Sequence, residues 1–482
     1  MNAISFDLMT ALPEIVVLVM AMVILLLDLF LKPSNRFLIY ILTQMALLAA
    51  ASVTLLTHST AVAYAFNGMF VDDALADILK LGIYLATFVT LIYTRDYIHL
   101  RGMFRGEFYA LVLFSTLGMM VMVSGQHFLT LYIGLELLSL SLYALVALDR
   151  SNASSTEAAM KYFVLGALAS GMLLYGMSML YGVTGSLNVS SVAEALLTGV
   201  PDHGVLVLGL VFIVAGLAFK LGAAPFQMWV PDVYHGSPTA VTLFIGSATK
   251  IAAFAMVMRL LIQAMFVLAV DWQGMLIIMA ILSMIIGNIA AIAQTNIKRM
   301  LAYSTISHIG FMMLGLLSVS LNGYASATFY ILSYVLMALV AFGVIMLLSR
   351  KGFEADRLED FKGLNQRSPW YAFLMLLTMF TMAGIPPTLG FYAKFTVLQA
   401  ALQAGFTELV VFAVIMALIG AFYYLRVVKY MYFDDAEDRH VITAPFDMRL
   451  VLSVNAIGLL LLGMFPQQLM DICAYAILHS IQ

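Results

Sequence analysis

Charge and cysteine are what this chain has least of. One cysteine, Cys473, stands among 482 residues, which excludes a disulfide framework, a four-cysteine zinc site and any iron–sulfur cluster held by this chain alone. Cys473 reads as a passive apolar residue. Charged residues make up only 10% of the chain and the net charge is -3, a balance that says little about partners; no nucleic acid is expected among them. The motifs GxGxxG, GxxxxGKS/T and HExxH are all absent, so no nucleotide, cofactor or metal site is expected. If electron or phosphate chemistry drives this protein, it comes from elsewhere. Linkers and low-complexity segments are missing too, and the one long polar stretch, 350–368, reads as a solvated loop.

What remains is apolar. With 63% apolar residues and a mean hydropathy of +1.02, the chain falls in the polytopic membrane class. Asp7 and Glu14 precede the first apolar run and Lys32 and Arg36 follow it, the wrong polarity for a cleaved signal. That run therefore reads as a retained first span, and the many methionines and phenylalanines read as packing and lipid-facing groups.

Apolar runs of spanning length fall at 11–31, 38–57, 73–94, 106–123, 127–148, 156–182, 204–235, 238–264, 273–294, 299–318, 323–349, 368–404, 407–430 and 448–470. Basic residues gather on alternate connections: Lys32 and Arg36; Arg95, Arg101 and Arg105; Arg150 with Lys161; Lys298 and Arg299; Arg350, Lys351, Arg357, Lys362 and Arg367; and Arg426, Lys429, Arg439 and Arg449. The opposite connections carry none. Such asymmetry marks the cytoplasmic face and predicts both termini on the other side, periplasmic in a bacterial inner membrane.

Two runs are too long. At 1.5 Å per residue, 204–235 and 368–404 would make helices of about 48 and 55 Å, against a hydrocarbon core of about 30 Å. Each contains a helix break, at Gly222 and Pro225 in the first and at Gly384, Pro386 and Pro387 in the second. Taken as counterparts, they predict an all-α polytopic membrane protein with two inverted five-helix repeats. The expected parts are an N-terminal three-helix segment, 1–105; the first repeat, 106–265; the second, 266–432; and a C-terminal helix, 433–482. Broken helices within membranes expose carbonyls that protein or an internal cavity must satisfy, and they mark ion and substrate sites.

Ionisable residues inside spans need a purpose. A lysine at mid-membrane depth is disfavoured by about 2.5–3.5 kcal/mol, so it faces a protein interior or a water-filled cavity. Glu136 lies in the middle of span 5, and Lys220 precedes the first break. Lys250 follows among small residues, His308 sits mid-span, and Lys394 follows the second break. Carboxylate, ammonium and imidazole groups that change charge with their neighbours outline a proton wire. Lys80 and Arg259 sit nearer span ends, where snorkelling accounts for them. Asp232 and His235 read as part of a cytoplasmic turn.

The stretch FKLGAAPFQMWVPDVYHGSPTAV followed by SATK, together with AGIPPTLGFYAKF, resembles the antiporter-like proton-translocating subunits of respiratory NADH:quinone oxidoreductase, complex I. The resemblance covers essentially the whole chain. Lys394, where the M-type subunit is expected to carry glutamate, and the absence of a long lateral helix after span 14 point to the subunit N (NuoN) type. Gln227 and His308 depart from the family pattern, which commonly has histidine and lysine there. The resemblance implies that NADH, FMN, iron–sulfur clusters and quinone are handled by partner subunits, and that their electron transfer drives protons through this one. Glu136 with Lys220 would be the coupling pair, Lys250 the central relay, His308 a bridge and Lys394 the outlet. Other membrane-arm subunits, the M-type and K-type as neighbours, and the lipid bilayer are the implied partners. The alternative is a cation/proton antiporter (Mrp-type) or membrane-bound hydrogenase subunit.

Overall fold

The structure is a computed structural model, and it describes residues 3–32, 35–59, 61–199, 202–437 and 440–481. Arg439, counted among the basic residues above, lies outside them. The long helices are α2 (Leu12–Phe30), α3 (Phe37–Thr57), α4 (Ala74–Leu100), α5 (Gly106–Ser124), α6 (Phe128–Val146) and α7 (Ala153–Thr184), then α9 (His203–Leu221), α13 (Ala269–Ala293), α14 (Ile297–Leu317), α15 (Leu321–Leu348), α19 (Thr407–Phe433) and α20 (Phe446–Met464). Shorter pieces are α1 (Ala3–Thr10), α8 (Val189–Thr198), α10 (Trp229–Gly236), α11 (Thr239–Gly246), α12 (Ala248–Val257), α16 (Leu364–Arg367), α17 (Pro369–Ala383), α18 (Leu389–Gln403) and α21 (Gln467–Ser480).

Among the described residues, thirteen helices are long and apolar enough to cross a membrane, counting Thr239–Ala264 as one. The pair α17 and α18 supplies the fourteenth span, in two halves. Polar caps set many starting points: Asp73 accepts from Ala76 N, Asp202 from Val205 N and Asn296 from Arg299 N. Helices α11, α12 and α14 are buried nearly all round, whereas α2, α19 and α20 expose most of their length. The mid-membrane lysines on α12 and α18 thus belong to a packed interior, and apolar side chains on the outer helices face lipid or other subunits.

Helices α9 and α17 end at Gly222 and Gly384, and both ends use one device. Gly222 (φ +79°) and Gly384 (φ +86°) take the left-handed conformation, which only glycine adopts cheaply. Ala223 N then bonds back to Ala218 O, and Ile385 N to Phe380 O, closing each helix with a Schellman turn. The Ala224–Pro225 and Pro386–Pro387 bonds are cis. Aligning the two glycines sets Met382 opposite Lys220 and Asp232 opposite Lys394, so the two lysines stand on opposite sides of their breaks. The breaks also divide their spans differently. Helix α9 has 19 residues before its break, enough to cross alone, while α17 and α18 have 15 each.

Several features went unpredicted. A hairpin pairs Ala63–Ala65 with Phe70–Asp72, α8 fills the connection after α7, and the C-terminal region holds two helices, α20 and α21, instead of one. Span 8 is interrupted at Ser247 and ends in a π-helical turn, Met258–Ala264. Asp232 and His235 lie on α10, not in a turn.

Candidate proton-transfer site

Helix α6 carries Glu136 half-buried, with its Oε1 lacking a hydrogen-bond partner. One turn on, Ser139 accepts a 2.7 Å hydrogen bond from Lys220 Nζ of α9. Glu136 and Lys220 therefore make no direct ion pair, although Lys220 lies within electrostatic reach of the carboxylate. An acid held near a lysine, with a hydroxyl between them on the acid's own helix, can change the lysine's charge without locking it into a contact.

Lys250 points back from α12 to the first break. Its Nζ donates to Leu221 O at 2.9 Å and stands 5.2 Å from the centre of the Trp229 ring; Trp229 Nε1 in turn donates to Phe219 O at 2.9 Å. The final carbonyls of a helix lack intrahelical partners and carry partial negative charge. Lys250 satisfies Leu221 O, and Trp229 adds a second donor to Phe219 O beside Gly222 N. Lys394 does the same at the second break, donating to Met382 O at 2.9 Å and Ala383 O at 3.0 Å. A buried ammonium thus sits on the negative end of each broken helix.

Between these ends lies a row of hydroxyls. The Tyr234 hydroxyl on α10 is buried without a hydrogen-bond partner and lies near Thr305 and Tyr334, which bond each other at 2.7 Å. His308 is buried (3% exposed), with Nδ1 2.7 Å from the Tyr330 hydroxyl and Nε2 3.1 Å from that of Tyr424. Tyr424 also bonds Ser304. One turn beyond His308 on α14, the Phe311 ring packs under Lys394 at 5.1 Å. The structure therefore places Lys220 on Ser139 one turn from Glu136, Lys250 on the carbonyl end of α9, His308 among Tyr330 and Tyr424, and Lys394 on the carbonyl end of α17. Ser139, Trp229, Tyr234, Tyr330, Tyr334 and Tyr424 were not singled out by sequence. For Ser139 and Tyr234 the signal was a hydroxyl in a span that also holds an ionisable residue; Trp229 and the tyrosines of α15 and α19 gave none.

Three basic residues behave unlike surface cations. Lys80 does not snorkel: it is 1% exposed and its Nζ lies 2.7 Å from Glu14 Oε1. Arg259 does not either; it is equally buried and grips Asp73 with two nitrogens, at 2.7 and 2.9 Å. Both have partners on other helices, which hydropathy cannot reveal. Lys298, at the start of α14, turns inward and donates to Ser237 O at 2.9 Å. Its neighbour Arg299 reaches Asp232, which Lys161 also holds, tying α7, α10 and α14 together on the arginine-rich side.

Residues 125–420 match the family model described as NADH:quinone oxidoreductase/Mrp antiporter, TM. Over 483 aligned residues, covering all of both chains, the protein is 73% identical to NADH-quinone oxidoreductase subunit N of Methylovorus glucosotrophus. The chain belongs to the subunit N family of NADH-quinone oxidoreductase. Among solved structures it is similar to a chain of respiratory complex I from Thermus thermophilus with bound aureothin, at 33% identity and a TM-score of 0.82, covering 96% of this chain and 100% of that one. A chain of the Mrp complex from Dietzia shares the fold, with a TM-score of 0.85 over 98% of this chain and 97% of that one, at 20% identity. As a subunit N family member the protein is a membrane-arm part of complex I, and its antiporter-like fold is consistent with proton translocation.

Proposed function

We propose that protons cross this subunit along the file Glu136, Lys220, Lys250, His308 and Lys394, driven by electron transfer from NADH to quinone at the flavin, iron–sulfur and quinone sites of partner subunits. The observation that carries this reading is the placement of Lys250 and Lys394 on the carbonyl ends of the two broken helices, with a histidine–tyrosine cluster between them. When Glu136 is drawn away from Lys220, or neutralised, the lysine loses the carboxylate that favours its charged form and passes its proton onward. The hydroxyls of Tyr234, Tyr334, Tyr330 and Tyr424 carry it between the lysines, and Lys394 delivers it to the periplasmic side. On this reading the two broken-helix units insert with opposite orientation, both termini are periplasmic, and the M-type and K-type subunits are the neighbours.

The test is Lys220→Ala and Glu136→Gln in the assembled complex in sealed membrane vesicles. Pumping and quinone-linked NADH oxidation should fall together by roughly tenfold or more, the range for removing a proton-transfer group, while the complex still assembles on a native gel. Unchanged pumping in a fully assembled variant would sink the assignment.

A further inference from the structure

The file described above leaves a second set of buried ionisable groups unused, among the N-terminal helices and outside the residues that match the family model. Along α4, Asp77, Lys80, Tyr84 and Thr87 follow one another at spacings of three and four, hence on one face. That face meets Glu14 of α2, 2.7 Å from Lys80, and Thr54 of α3, beside Tyr84. Asp77 in turn lies 2.6 Å from His58 Nδ1. Only the last member is open: the side chains of Lys80, Glu14 and Asp77 are 1%, 8% and 6% exposed, and that of His58 is 37% exposed. The row runs from a buried ammonium to an imidazole in contact with solvent.

Two buried atoms in this region have no hydrogen-bond partner, Glu14 Oε2 and Thr87 Oγ1, and the Tyr84 hydroxyl meets Thr54 between them. Glu14 is 6% exposed, so its free oxygen is an unpartnered buried carboxylate atom beside the lysine. Orphaned donors and acceptors in a continuous row are the lining that holds hydrogen-bonded water inside a protein. A structural ion pair in an apolar bundle needs no such lining. Burial also pushes the Asp72 carboxyl, in the hairpin beside Lys80, Asp77 and Glu14, up to about 7. The other charged or titratable groups facing the row are Tyr475 and His479 of α21, packed by His58, and the Arg259–Asp73 pair at the start of α4.

We propose that Lys80, Glu14, Asp77 and His58 form a proton-release path to the face opposite the arginine-rich one, separate from the central file. The Lys80 ammonium gives a proton to the Glu14 carboxylate across their 2.7 Å contact; water held along the row carries it to Asp77, which passes it to neutral His58 across their 2.6 Å contact, and it leaves the imidazolium for outside water. Lys80 regains a proton from within, along the Tyr84–Thr87 row. This rests on the pumping function and sidedness proposed above.

Lys80→Arg separates transfer from structure: a guanidinium keeps the ion pair with Glu14 but does not deprotonate in proteins. His58→Gln removes the solvent-side group at a position exposed enough to tolerate it. Both are measured in the assembled complex in sealed vesicles, as protons moved per NADH oxidised. The ratio should fall in each by the share this path carries while NADH oxidation continues, and imidazole added on the release side should restore it in His58→Gln. Wild-type pumping by both variants overturns the path, as does a loss in His58→Gln that imidazole leaves untouched. If Lys80→Arg fails to assemble, His58→Gln with imidazole decides alone. Lys220→Ala in the same assay keeps the two proposals apart: loss there with normal pumping by Lys80→Arg and His58→Gln removes only this path.

Discussion

Replacing Lys250 by methionine tests whether the buried lysine is a relay or only a helix cap. The substitution strips Leu221 O of its 2.9 Å donor. An unsatisfied buried carbonyl costs about 1–3 kcal/mol, and loss of a cation at a helix C-terminus about 0.3–2 kcal/mol. Against this, removing an ammonium from membrane depth relieves about 2.5–3.5 kcal/mol. The terms nearly cancel, so Lys250→Met should assemble, with net stability within about 2 kcal/mol of the parent. Pumping, however, should fall by roughly tenfold or more, measured as fluorescence quenching by a pH-sensitive dye in sealed vesicles and normalised to complex assembled on a native gel. Lys250→Arg should keep the cap and also fail to pump, because arginine does not release its proton. A pumping Lys250→Arg, together with a Lys250→Met that fails to assemble, would refute the relay and leave a structural cap.

Two further outcomes follow from groups away from the file. Arg259→Ala leaves Asp73 buried and unpaired, a loss of about 3–5 kcal/mol for a broken buried pair; the yield of assembled complex should drop, and Asp73→Asn in the same chain should recover part of it. Asp72 is protonated in the folded protein up to about pH 7 but ionised from about pH 4 in an unfolded chain. Its folded form thus holds the extra proton between these values, and stability falls as pH rises through that window. Asp72→Asn should flatten the fall, which a thermal-shift series on the purified complex from about pH 4 to about pH 8 will show as a gain over the parent that grows up to about pH 7 and then levels off.

How much was legible in the sequence depended on how local the cause was. The span pattern was legible because each span is a continuous apolar run, and the breaks because Gly222 and Gly384 with their nearby prolines act on their own backbone. That Lys220, Lys250 and Lys394 needed internal partners was legible from the cost of an ammonium in lipid. Which partners they found was not. Lys220 reaches Ser139 across 81 positions, and Arg259 reaches Asp73 across 186; nothing in the residues around either end announces the other. Lys80 and Arg259 were misread for the same reason, since a lysine near a span end looks alike whether it rises to the surface or turns inward to Glu14. The tyrosines around His308 escaped because an aromatic residue in an apolar run reads as packing until its hydroxyl meets a histidine.

The two broken helices differ in a way that bears on coupling. At the first break the capping ammonium comes from a different span: Lys250 on α12 holds the end of α9, so any motion of α9 against α12 changes the lysine's contact with the carbonyl end. At the second, Lys394 lies on α18, beyond the break that ends α17, and the contact responds to bending of one span about Gly384. A Cβ at Gly384 would stand 3.0 Å from Lys394 Cδ, so the hinge and the lysine pack directly. The first contact is thus set by how helices sit against each other, the second by how one helix is bent. A charge change at Glu136 and Lys220 can shift α9 and reach Lys250 directly, whereas Lys394 must be reached through the hydroxyls and His308 on α14. On the proposed path, this ordering puts the acid at the driven end and the bending span at the end that releases the proton.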